Sequence, residues 1–163
     1  MSDCSNNIKN IFIVRHGHAD FGSGIDFERE LTTKGVKRSN KTAEYIKQKC
    51  QSLNMVLDLC ISSAAIRTKQ TAEIICQPNN ISNCQYYREL YSTMASTWLD
   101  KIAGQSAKNI VIVGHNPTFS QLVNRLCGHE IYMKPAHCAF VTLEFRDDGI
   151  IYPATLNDYF PNE

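Results

Sequence analysis

Short apolar runs alternate along the chain with longer stretches in which apolar residues recur every three or four positions. The runs Asn10 to Val14, Met55 to Ile61 and Ile110 to Val113 read as strands, the first and last buried on both faces. Val36, Ala43, Ile46 with Tyr45, Cys50 and Leu53 form one stripe. They predict a helix capped by Thr32 or Thr33 and running to about Cys50. Ser62 and Ser63 offer an N-cap for a helix from about Ala64 to Cys76, with Ile66, Ile74 and Ile75 inward. Pro78 to Asn83 is a polar loop, and Thr93 to Ala103 reads as a helix around Met94, Trp98, Leu99 and Ile102. The next helix takes Asn116 as N-cap and Pro117 as its first residue, buries Phe119, Leu122, Val123 and Leu126, and closes at Gly128. Ala139 to Phe145 and Ile150 to Thr155 flank Asp147-Asp148-Gly149 as a strand-turn-strand unit. This alternation predicts an α/β fold, a three-layer α/β/α sandwich around a mostly parallel central sheet.

Composition narrows the picture. No repeat, low-complexity tract or linker interrupts the 163 residues, so the chain, 1–163, reads as a single domain. With 43% hydrophobic and 20% charged residues it has the makings of an ordinary globular core. A net charge of +1 gives no broad basic field for nucleic acid or an anionic membrane, so an anionic ligand must be gripped by a local cluster. Met1 to Asn10 is polar and lacks the signature of an export signal, and no apolar run is long enough to span a bilayer. The seven cysteines are odd in number, scattered and without a C-x-x-C pair. Both features predict a cytoplasmic protein whose thiols are free, most of them small core residues.

The chemistry gathers at three strand ends. Arg15-His16-Gly17 follows the first strand, Ser62-Ser63 and then Arg67 follow the second, and Gly114-His115-Asn116 follows the run at 110–113. In open α/β sheets ligands collect at the carboxyl ends of strands. Helices starting near Ser63 and Asn116 would add N–H groups and positive dipole ends there. Two arginines can fork onto a phosphoryl group. A neutral histidine nitrogen can then attack phosphorus with no proton to remove first, and nearby positive charge keeps it neutral. His115 can donate to the equatorial oxygens as charge shifts in the transition state.

These residues resemble a known family. Ile13-Val14-Arg15-His16-Gly17 is similar to the signature of the histidine phosphatase superfamily, of phosphoglycerate mutase-like fold. Leu31-Thr32-Thr33-Lys34-Gly35 resembles the L-T-x-x-G element of its short SixA-type phosphohistidine phosphatases, and Ser62 to Glu73 their S-x-x-x-R-x-x-Q-T-x-E element. Glu89-Leu90 and Val113-Gly114-His115-Asn116-Pro117 follow in the same order, so the likeness runs from about residue 10 to 145. The resemblance implies that His16 is the phosphorylated nucleophile and that Arg15, Arg67 and His115 complete the pocket. It puts Glu89 where larger members carry their general acid, although Arg88-Glu89 equally suits a solvated surface pair. Gly17, His18 and Asn116 are expected to line the substrate, with His18 either touching it or standing at the rim.

The expected activity is hydrolysis of a phosphoryl group through a covalent phosphohistidine, on phosphohistidine in a protein. Two alternatives stand beside it: a broad-specificity small-molecule phosphomonoesterase, and a catalytically inactive phospho-ligand binding module. The expected partners are a phosphorylated protein or a small phosphomonoester, not nucleic acid or membrane, with the chain a monomer or weak dimer. No cofactor is expected. Cys127-x-His129, His137-Cys138 and His16-x-His18 raise a metal reading that is set aside, since the first lacks usual ligand spacings.

Overall fold

A computed structural model describes residues 7–22 and 24–162. Cys4 and the polar stretch ahead of Asn7, on which the export reading rests, lie outside the described residues. Strand β1 (Ile8–Arg15) leads through a loop and a short 3-10 turn at Asp26–Glu28 into helix α1 (Thr33–Ser52). Then come β2 (Leu59–Ser63), α2 (Ile66–Cys76), β3 (Cys84–Tyr87), a second 3-10 turn at Arg88–Leu90, and α3 (Ala95–Ala103). The chain continues through β4 (Asn109–Gly114), α4 (Thr118–Cys127), β5 (Cys138–Arg146), β6 (Gly149–Ile150) and β7 (Thr155–Phe160).

The sheet is mixed and mostly parallel. Strands β3, β2, β4 and β1 run parallel in that order, β5 joins β1 antiparallel, and β6 and β7 pair with the far side of β5. Because side chains alternate along a strand, β1 sends Ile11 and Ile13 to one face and Phe12 and Val14 to the other, all fully buried. The first face packs Trp98 of α3 and Phe119, Leu122 and Val123 of α4; the second packs Ile46 of α1 and Ile75 of α2. Each such side chain contributes about 1.5–3 kcal/mol by leaving water. The layers are those expected, with α1 and α2 on one face and α3 and α4 on the other.

Several boundaries differ from the sequence reading. Thr32 caps α1, its hydroxyl accepting from the Gly35 N–H at 3.0 Å, but Val36 and Leu53 of the expected stripe are exposed. Strand β2 starts only at Leu59, since Val56 faces solvent. Met94 is likewise exposed, sitting before α3 rather than in it. No side chain caps α2 at Ala65, although Ser63 Oγ accepts the Ala65 N–H at 3.3 Å. Helix α4 starts one residue late, and Asn116 Oδ1 accepts the Ser120 N–H at 3.1 Å. Directly after the turn at Asp147-Asp148, Gly149–Ile150 pairs with β5, and the ladder then breaks off. Pro153 has no N–H for a ladder, and the returning strand forms later, at Thr155–Phe160. That strand and the short edge strand β3 went unforeseen. Among the described residues no helix is long and apolar enough to cross a membrane.

Candidate active site

Parallel register aligns the strand ends. Arg15 lies opposite Gly114 and Ser62 opposite Val113, so β1, β4 and β2 finish side by side. His16, Ser63 and His115 therefore emerge in one row, and Arg67 reaches in from the first turn of α2. The loop after β1 runs flush against the start of α1. A Cβ on Gly35 would collide with the His18 backbone, and one on Gly17 would meet Ser39 Oγ at 2.5 Å and the Gly35 carbonyl at 2.9 Å. This close approach is the physical content of the R-H-G and L-T-x-x-G elements.

His16 is buried, 7% exposed. Its Nδ1 lies 2.7 Å from the Gly17 carbonyl. A carbonyl can only accept, so Nδ1 carries the proton and Nε2 holds a free lone pair. Arg67 Nε donates to that lone pair at 3.3 Å. Burial, and then the neighbouring His115, Arg67 and Arg15, push the His16 pKa down to about 3, so the ring is neutral. The two imidazoles stand 5.4 Å apart between centroids. Arg67 Nη2 lies 3.4 Å from His115 Nδ1, and His115 Nε2 lies 2.8 Å from Ser63 Oγ. An arginine can only donate, so His115 keeps its proton on Nε2 and turns a second lone pair toward Arg67. Burial and Arg67 push its pKa to about 3 as well, against the pull of Asp26.

The guanidinium of Arg67 is the hub. Beyond the two imidazoles, its Nη1 donates to the Asp26 carbonyl at 2.7 Å and its Nη2 to Asp26 Oδ2 at 3.0 Å. The Tyr91 hydroxyl donates to the same Oδ2, and Arg29 Nη1 reaches Oδ1 at 2.9 Å. These bonds, the Tyr91 hydroxyl first, hold the Asp26 carboxyl well below the usual range, so it is ionised. Arg15 Nη1 donates to the Met133 carbonyl at 2.9 Å, while its buried Nε has no hydrogen-bond partner among the described residues. Burial lowers the Arg15 pKa. Arg15, His16, Asp26, Arg29, Arg67, Tyr91, Ser92, His115 and Asn116 line a cavity of about 350 Å³. A larger hollow of about 580 Å³, around Asn10, Lys49 and Asn109, is lined by no histidine or arginine.

Arg15, His16, Arg67 and His115 thus converge on one cavity. Asn116 lines it too, with Nδ2 already donating to the Met133 carbonyl at 2.7 Å. The other expected residues are placed elsewhere. The Gly17 N–H is committed to Thr71 Oγ1 at 3.0 Å. Exposed His18 pairs its Nδ1 with Thr32 Oγ1 at 2.9 Å and does not line the cavity. Glu89 also stays outside. Its side chain is 60% exposed and its Oε1 lies 2.7 Å from Lys101 Nζ. Asp26, Arg29 and Tyr91 were missed by the sequence reading. Asp26 opens one 3-10 turn, Arg29 follows it and Tyr91 follows the other, and in such short turns no periodicity marks the inward direction.

Comparisons with known proteins bear on the family and the fold. Residues 11–91, which carry Arg15, His16 and Arg67, match the model of the histidine phosphatase superfamily (branch 1). The phosphohistidine phosphatase SixA of Escherichia coli (strain K12) is 28% identical over 146 residues, covering 85% of this chain and 88% of that one. The solved structure of the protein histidine phosphatase SixA complexed with tungstate superposes with a TM-score of 0.76 at 23% identity, over 94% of this chain and 97% of that one. A phosphoserine phosphatase from Entamoeba histolytica, solved with 3-phosphoglyceric acid, superposes at 0.64 and 16% identity, over 93% and 96%. The chain belongs to the histidine phosphatase superfamily (branch 1), and its sequence is SixA-like.

Proposed function

We propose that this chain is a metal-independent histidine phosphatase that removes a phosphoryl group from phosphohistidine in a protein, through a phosphoenzyme on His16. The observation that carries the reading is the unprotonated Nε2 of a buried, neutral His16, 3.3 Å from a guanidinium suited to hold phosphate. The phosphoryl oxygens would take over the donors of Arg67 and the partnerless Nε of Arg15. His16 Nε2 attacks phosphorus, and the P–N bond to the substrate imidazole breaks as the leaving nitrogen takes a proton. Water then attacks the phosphoenzyme, giving inorganic phosphate and neutral His16.

The incoming dianion also changes His115. Its negative charge offsets the positive charge of Arg67, which favours the imidazolium and turns Nδ1 into a donor to an equatorial oxygen. Asp26, not Glu89, is the carboxylate beside the reacting group. Phosphoimidazole leaves more readily than an alkoxide, so a weak proton donor suffices. A SixA relative named as a phosphohistidine phosphatase supports the protein substrate. A neighbour of the same fold, named a phosphoserine phosphatase, is what favours a small phosphomonoester as the second reading.

Rapid-quench labelling tests the proposal. Wild type should trap an acid-labile, base-stable phosphoenzyme and His16→Ala none. Equal labelling of both, or full turnover by His16→Ala, would overturn it. A kcat/KM for sugar or glycerate phosphates well above that for phosphohistidine peptides would favour the second reading.

A further inference from the structure

A second cluster of reactive groups lies at the other end of β2. Cys60 is the second residue of β2, and parallel register sets it opposite Cys84, the first residue of β3. Cys76, the last residue of α2, comes down onto the same face. The three sulfurs lie within 4.8 Å of one another, and Cys84 Sγ is 3.1 Å from Cys76 Sγ. Cys60 and Cys76 are buried, while Cys84 is half-buried. Three strand and helix ends supply one sulfur each, so sequence spacing gave no hint of a site: the residues are 16 and 8 positions apart. The site is separate from the phosphate pocket, since Cys60 and Ser63 are three residues apart on one strand, roughly 10 Å.

We propose that Cys60, Cys76 and Cys84 form a trithiolate site for a thiophilic divalent cation of the Zn²⁺ class, with a solvent oxygen as fourth ligand. Zn–S bonds of about 2.3 Å in a tetrahedron need sulfurs about 3.8 Å apart. The cluster already lies within 4.8 Å, so its 3.1 Å pair has to open by less than an ångström. Charge selects the class. Three thiolates carry three negative charges, a monovalent cation would leave two of them in a buried place, and a divalent one leaves a single charge. The half-buried side of Cys84 is where water can reach the ion and solvate that remainder. Each thiol gives up its proton on binding, so affinity rises with pH. The bound ion would tie the end of α2 to β3, an edge strand that, among the described residues, is otherwise laddered only to β2.

Cadmium titration of the full, reduced chain under anaerobic conditions tests this. One equivalent should bind, with a sulfur-to-cadmium charge-transfer band in the ultraviolet, and prior loading with Zn²⁺ should raise the cadmium concentration needed to produce it. Cys84→Ser should weaken binding at least tenfold and remove about a third of the band, and Cys127→Ala, on the opposite face of the sheet, should change neither. In case Cys84→Ser misfolds, alkylation of native protein gives an independent reading: cadmium should slow modification of Cys84 at least tenfold. An unchanged band in Cys84→Ser, loss of the band in Cys127→Ala, or absent protection of Cys84 would each overturn the proposal.

Discussion

Arg67 is bonded on all three of its nitrogens, to His16, His115 and Asp26. A residue so engaged is positioned before substrate arrives, and its orientation is set by Asp26 more than by the ligand. Asp26→Asn removes the charged acceptor of Nη2, and hydrogen bonds to charged groups are worth about 1.5–3 kcal/mol. The expected result is a fall in kcat/KM of about tenfold or more on phosphohistidine peptide. Glu89→Gln only loosens an exposed pair with Lys101, and such pairs contribute about 0–1 kcal/mol. Its kcat/KM should stay within about twofold of wild type. A large loss in Glu89→Gln with none in Asp26→Asn would return the acid role to Glu89.

At the scale of elements, the site depends on how tightly the loop after β1 lies on the start of α1. Thr32 ties that junction through both atoms: Oγ1 caps α1 and meets His18 Nδ1 at 2.9 Å, and the N–H goes to the His18 carbonyl at 3.0 Å. Thr32→Ala keeps the backbone bond and loses the Oγ1 contacts, at a cost of about 1 kcal/mol in urea unfolding. Gly35→Ala is harsher. Its methyl meets backbone atoms of His18, which cannot rotate away, and overpacking of this kind costs about 1–3 kcal/mol. It should also raise KM, because His18 is two residues from the nucleophile. A Gly35→Ala variant with unaltered unfolding midpoint would contradict the tight junction.

Over the whole molecule, two buried neutral imidazoles make stability depend on pH. Folded His16 and His115 are both pushed down to about 3, whereas an unfolded histidine titrates near pH 6.5. Between those values the unfolded chain binds more protons than the folded one, so stability falls as pH falls. Each histidine contributes a slope of up to about 1.4 kcal/mol per pH unit. Urea midpoints should therefore drop between pH 7 and pH 5, and the drop should shrink in a His16→Gln/His115→Gln double variant. Nitrogen-15 shifts of His16 should hold the neutral, Nδ1-protonated pattern down to pH 5. A titration of that ring between pH 6 and 7 would contradict its burial.

The layers and the chemical cast could be read along the chain. Period-two and period-3.6 patterns are local properties, so the strands at Ile13 and Ile112 and the helices around Ile46 and Leu122 could be read from neighbours a few residues apart. Arg15, His16, Arg67 and His115 were legible because each sits at or shortly after the end of such a strand. Folding in three dimensions selects which carboxylate attends the site, since Asp26 and Glu89 both lie in segments without a period and differ solely in direction. It alone brought Cys60, Cys76 and Cys84 together. Their meeting depends on the register of β2 against β3 and on where α2 ends, and those are settled by packing across the sheet rather than along the chain.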